Sequence, residues 1–88
     1  MTKLFSDDAC EDLNFWFNDK KILKKINELL KDIERNGNTG IGKPEPLKYE
    51  LMGYWSRRIT EKDRLVYKID EETNTLYIIG CKGYYENE

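Results

Sequence analysis

Through the first third of the chain the apolar positions recur with a helical period. Ala9, Leu13, Trp16 and Phe17 fall at i, i+4, i+7 and i+8, and Ile22, Ile26, Leu29, Leu30 and Ile33 form a second stripe with Lys20, Lys21, Lys24, Lys25 and Lys31 mostly off it. Ser6 is placed to cap the first helix, with Asp7 and Asp8 in the first turn, where carboxylates favour the helix dipole. That helix is predicted to run to about Phe17. Asn18 or Asp19 caps the second, and Asn36-Gly37 ends it. Lys3 to Phe5 reads as a short strand ahead of both, so the two stripes predict an α-hairpin packed on a sheet.

The period then changes. Residues 37–46 contain three glycines and two prolines and read as a loop. Within it Glu45 sits between Pro44 and Pro46, which hold the backbone there extended and out of a helix. Leu47 to Leu51, Tyr54 to Thr60, Arg64 to Ile69 and Thr75 to Cys81 are β-branched and aromatic strand candidates. Their short links predict an antiparallel meander. Alternation places Arg58 with Tyr54, Ser56 and Thr60 on a polar side, and Arg57 with Trp55 and Ile59 on the other. Arg64 heads its strand, and Leu65, Tyr67 and Ile69 take the opposite, apolar side. The fold class is α+β: an N-terminal α-hairpin on a twisted, mainly antiparallel sheet of four to five strands.

A chain of 88 residues has length for one core, so residues 1–88 are predicted to form a single domain. With 36% charged and 12% aromatic residues it is too aromatic for a disordered tail. No apolar run approaches the roughly 20 residues that cross a bilayer, and the N-terminus lacks the apolar stretch of a signal peptide, which predicts a cytoplasmic protein with no membrane partner. Cys10 and Cys81 show no metal or redox spacing and read as free thiols. The net charge of -2 conceals a segregation. Residues 1–19 hold one basic and five acidic side chains, residues 20–35 six and three, residues 43–68 seven and four, and residues 69–88 one and five. Two basic blocks between acidic ends can present a cationic face to phosphates.

The chain has no histidine, which removes the Ser/His/Asp triad, and it has neither a Cys/His metal cluster nor a Gly-rich phosphate loop after a strand. No metal or other cofactor is expected. Metal-free RNA cleavage fits what is left. In that reaction the substrate's 2′-hydroxyl attacks the adjacent phosphate, with a base at the hydroxyl, cations on the phosphorane oxygens and an acid at the leaving 5′-oxygen. Glu45 is the candidate base, Arg58 and Arg64 the phosphate clamp, Lys48 an added cation, and Tyr84 or Tyr85 the acid or a base-stacking platform.

Several separate motifs carry a resemblance. The run Lys24 to Ile33, the segment Gly42-Lys43-Pro44-Glu45-Pro46-Leu47-Lys48, then Trp55-Ser56-Arg57-Arg58-Ile59, Arg64-Leu65-Val66-Tyr67 and the Tyr84-Tyr85 ending together resemble YoeB-type toxins of the RelE/ParE superfamily. The resemblance implies a microbial-ribonuclease-like fold and ribosome-dependent cleavage of messenger RNA in the A site of the 30S subunit. It also implies neutralisation by a YefM-like antitoxin and a homodimer. By motif, Glu45 matches the family's general base, Arg64 its catalytic arginine, Arg58 and Lys48 its phosphate-binding residues, and Tyr85 its near-terminal tyrosine. The family's ending is typically aromatic-His-Tyr, with the histidine as general acid. Here Tyr84 stands in that place, which predicts weakened cleavage. The alternatives are a non-catalytic ribosome or antitoxin binder of the same fold and, more distantly, a ParE-like gyrase inhibitor, against which the Lys-Pro-Glu-Pro-Leu-Lys segment speaks.

Overall fold

The computed structural model describes residues 1–84. Strand β1 (Thr2–Phe5) runs into helix α1 (Asp7–Phe15), whose start is fixed where the serine signal put it. The Ser6 hydroxyl accepts from the Ala9 amide at 3.1 Å and donates to the Ile79 carbonyl at 3.3 Å, so one side chain caps the helix and ties it to the sheet. The helix closes two residues earlier than expected, with Trp16 as its cap. Helix α2 (Lys20–Asn36) starts at Asp19, whose carboxylate accepts from the Ile22 amide, and ends at Gly37 with φ of 68°.

Strands β2 (Glu45–Pro46), β3 (Trp55–Arg58), β4 (Arg64–Asp70) and β5 (Thr75–Gly80) complete a five-stranded sheet in the order β1-β5-β4-β3-β2. Neighbours from β2 to β5 are antiparallel, and β1 lies parallel to β5, so the sheet is mixed.

One expected strand is absent. Leu47 to Leu51 does not extend along the sheet; pairing ends with the bond from the Leu47 amide to the Tyr54 carbonyl, and Tyr49–Leu51 winds into a single 3₁₀ turn. The strand is instead the two residues at Glu45 and Pro46. Proline has no amide to give a ladder, which restricts it to a sheet edge, and β2 is the edge strand.

The core lies between the helices and one face of the sheet. Ile26, Leu29, Leu30 and Ile33 from α2 and Ala9 from α1 pack with Ile59, Leu65, Tyr67, Leu76 and Ile78. Each fully buried aliphatic side chain contributes about 1.5–3 kcal/mol. The opposite sheet face carries Ser56, Arg58, Arg64 and Lys68, with the buried Val66 among them.

Candidate functional site

Register settles which side chains share that face. Arg58 and Arg64 lie directly opposite each other across β3 and β4, and Glu45 lies opposite Ser56, two residues along β3 from Arg58. Directly opposite residues point to the same side about 4.5–5.5 Å apart, and the Glu45–Arg58 diagonal spans about 7–8 Å. Three neighbouring strands thus place Glu45, Arg58 and Arg64 on the same side of the sheet. Two like charges facing each other in a ladder destabilise it unless an anion sits between them.

The two arginines are held differently. Arg58 is exposed, and its backbone amide donates to the Gly42 carbonyl at 2.7 Å. Arg64 is buried, and its Nη1 donates to the carbonyls of Thr60, Glu61 and Asp63 at 2.8, 3.1 and 3.2 Å. These oxygens belong to the β3–β4 turn, so the turn holds the guanidinium in place. Among the described residues every hydrogen bond of that guanidinium comes from Nη1.

The chain end is fastened to the same spot. The Arg64 amide donates to the Gly83 carbonyl at 2.9 Å, and the Gly83 amide donates to Asp63 Oδ1 at 2.8 Å. Helix α1 reaches the same segment: the Cys81 amide donates to Asp12 Oδ2, and the Trp16 indole donates to the Cys81 carbonyl at 2.8 Å. Tyr84 is thereby laid over Arg64, with the guanidinium carbon 4.8 Å from the ring centroid. Tyr84 remains 61% exposed as a residue. Tyr85 lies outside the described residues.

Lys48 is not brought into the sheet. It lies past the end of β2, exposed, at the start of the 3₁₀ turn.

Burial of Cys81, reinforced by Asp12 and Asp63, pushes its thiol up to about 12, whereas Cys10 is exposed. Iodoacetamide at pH 8 is expected to add one carbamidomethyl group to the native protein, at Cys10, and a second only after denaturation. Mass spectrometry of the native protein showing a Cys81 adduct would contradict the tether just described.

Arg57, whose role the sequence did not disclose, is the most heavily bonded side chain near the site. Alternation put it on the apolar side, and it is completely buried there. It pairs with Asp32 of α2, donates to the carbonyls of Gly37, Thr39 and Ile41 at 2.6, 2.9 and 3.0 Å, and donates from Nε to the Tyr67 hydroxyl at 3.1 Å. The hydrogen bond from Arg57 holds the Asp32 carboxyl below the usual carboxylate range, and burial pushes the Tyr67 phenol up. The loop is drawn in so closely that a Cβ on Gly40 would collide with the Asp32 carboxylate. Arg57 therefore fixes the loop that delivers Glu45, while its neighbour Arg58 faces the site.

Comparison with known proteins identifies the family and the fold. Residues 5–85 match the family model of the YoeB-like toxin of bacterial type II toxin-antitoxin systems. The chain is 48% identical to Toxin YoeB of Escherichia coli K12 over 86 residues, which is 97% of this chain and 100% of the relative. Among solved structures it is similar to the YoeB in a YoeB-YefM complex from Staphylococcus aureus, with a TM-score of 0.87, 52% identity and coverage of 97% and 98% of the two chains. It is similar also to a YoeB dimer from the same organism, with a TM-score of 0.88, 53% identity and the same coverage. With the fold and a match over nearly the whole chain in accord, this chain belongs to the YoeB-like toxins of bacterial type II toxin-antitoxin systems.

Proposed function

We propose that this toxin is a metal-independent endoribonuclease that cleaves messenger RNA in the ribosomal A site and so stops translation. The observation that carries the reading is the register that sets Glu45, Arg58 and Arg64 on one side of neighbouring strands, with Tyr84 stacked on Arg64. Glu45 takes the proton of the 2′-hydroxyl as that oxygen attacks the neighbouring phosphorus. Arg58 and Arg64 stabilise the added negative charge on the phosphorane, and Tyr84 gives its phenolic proton to the departing 5′-oxygen. The products are a 2′,3′-cyclic phosphate and a 5′-hydroxyl. Primer extension on messenger RNA bound to translating ribosomes tests the reading: new ends within or next to the A-site codon are expected. Their absence at protein in excess over ribosomes would overturn it.

The acid is the weak member. A phenol near pKa ~10 is about 3.5 units less acidic than an imidazolium near ~6.5. If roughly half of the proton transfer is complete in the transition state, Tyr84→His is expected to raise the single-turnover rate roughly 50-fold. A rate unchanged by that substitution would remove Tyr84 from the acid's place.

A YefM-like antitoxin and a second copy of this chain are the proposed partners, as in the Staphylococcus aureus assemblies. An antitoxin segment bearing carboxylates would occupy the positions of the RNA phosphates around Arg58 and Arg64. The second reading, a non-catalytic binder, draws on Tyr84 lying over the Arg64 guanidinium. It predicts ribosome binding without new messenger RNA ends, both with Tyr84 and with Tyr84→His.

A further inference from the structure

The face that carries Arg58 and Arg64 continues along the strands. On β4 the residues that share Arg64's side are Val66 and Lys68, and Lys68 is exposed. It lies directly opposite Tyr77 of β5, and its ammonium is 5.7 Å from the ring centroid of Tyr54, the residue preceding β3. A row of aromatic, cation and aromatic therefore runs from the residue before β3 over β4 to β5. At a rise of about 3.3 Å per residue it lies roughly 13 Å from Arg64.

The cleavage chemistry uses none of these residues. Lysine on a strand commonly guards a sheet edge, but β4 and β5 are interior strands with neighbours on both sides. Among the described residues neither phenol makes a hydrogen bond to the protein. Tyr54 and Tyr77 are half-exposed beside the exposed Lys68, and aromatic rings interleaved with a cation are the elements that bind single-stranded RNA, the rings stacking on bases and the ammonium meeting a backbone phosphate.

We infer that Tyr54, Lys68 and Tyr77 form a second nucleotide subsite, which holds a base and phosphate of single-stranded RNA flanking the bond to be cut. The inference rests on the ribonuclease reading of the Arg58–Arg64 site, which lies on the same side of β4 as Lys68, with the buried Val66 between them. It favours RNA over a protein partner because the row leads from a cation towards two further cations.

The test uses the full chain and a seven-nucleotide RNA carrying a 2′-O-methyl group at the ribose to be attacked, which blocks cleavage. Amide shift titration to millimolar RNA and fluorescence anisotropy are read together, with a dinucleotide spanning only the scissile bond as the short probe. Tyr54→Ala with Tyr77→Ala, and separately Lys68→Ala, are expected to weaken heptanucleotide binding about 5- to 10-fold, the low end of what one base-aromatic stack contributes. Dinucleotide binding should be unchanged in both. Equal losses for the two probes, or no shift at Lys68 and Tyr77 with the wild-type chain, would overturn the subsite. If Arg58→Ala weakens the heptanucleotide and the row variants do not, the subsite fails while the ribonuclease reading stands. If none of the variants matters, both fail. Row variants that bind RNA normally but lose affinity for a hexaglutamate peptide would make the face a protein-docking surface and overturn the inference.

Discussion

Glu45→Gln is expected to lower cleavage of ribosome-bound messenger RNA by about 10²–10⁴-fold, the usual contribution of a positioned general base. Stability should change by no more than about 0.5 kcal/mol, because Glu45 is exposed on an edge strand and glutamine keeps its shape. Single-turnover primer extension measures the first quantity and thermal melting the second. The pairing of results matters, since a loss of activity accompanied by melting would report on the fold and not on the base. Arg58→Ala, also exposed, is expected to cost about 10²–10³-fold with equally little effect on melting. Arg64 does not permit so clean an experiment. Its Nη1 holds the carbonyls of Thr60, Glu61 and Asp63, so its removal loosens the β3–β4 turn as well as the phosphate clamp. Glu45→Gln activity within tenfold of wild type would exclude this carboxylate as the base.

Local signals were readable where a single residue type decides the backbone. Ser6 and Asp19 cap their helices through bonds to amides three residues on, and Gly37 ends α2 at a positive φ, so no distant contact was needed to foresee them. The short turn made Arg58 and Arg64 neighbours at two strand ends, but only the register, which the sequence does not fix, sets them directly opposite each other. The failure at Leu47 to Leu51 has a different origin: its composition suits a strand, but the ladder stops at Leu47 and the chain turns at Tyr49 with φ of 57°. Tyr84 over Arg64 was equally hidden, because its placement depends on Gly83 binding Arg64 and Asp63 and on α1 gripping Cys81. Arg57 shows the limit most clearly. Period-two alternation correctly sent a cation to the buried face, yet its carboxylate partner lies 25 residues earlier on another element, and nothing local announces that pairing.

That buried pairing carries the largest expected effect on stability. Arg57→Leu keeps much of the volume and the buried position, but leaves the carbonyls of Gly37, Thr39 and Ile41 and the Tyr67 hydroxyl without their donor. The buried Tyr67 hydroxyl loses a partner at a cost of about 1–3 kcal/mol, the part-buried carbonyls add less each because water can reach them, and Asp32 loses its cation. A loss of at least about 3 kcal/mol is expected, which for a domain of this size lowers the melting temperature by roughly 12–24 °C. Asp32→Asn should be milder and should show its effect in pH dependence. Because the Asp32 carboxyl titrates lower in the folded chain than in the unfolded one, its stabilisation is present above the unfolded pKa and is lost as pH falls through the folded value. The gap in melting temperature between wild type and Asp32→Asn should therefore narrow as pH falls from 6 towards 3. Arg57→Lys separates charge from geometry: a lysine restores the cation but cannot serve Asp32, three carbonyls and a phenol from one planar fork. The lysine variant is expected to melt close to Arg57→Leu, and its Arg58 amide, bonded to Gly42 at the loop's end, should exchange with solvent faster than in the wild-type chain. Full recovery by lysine would show that the loop carrying Glu45 is held by charge alone.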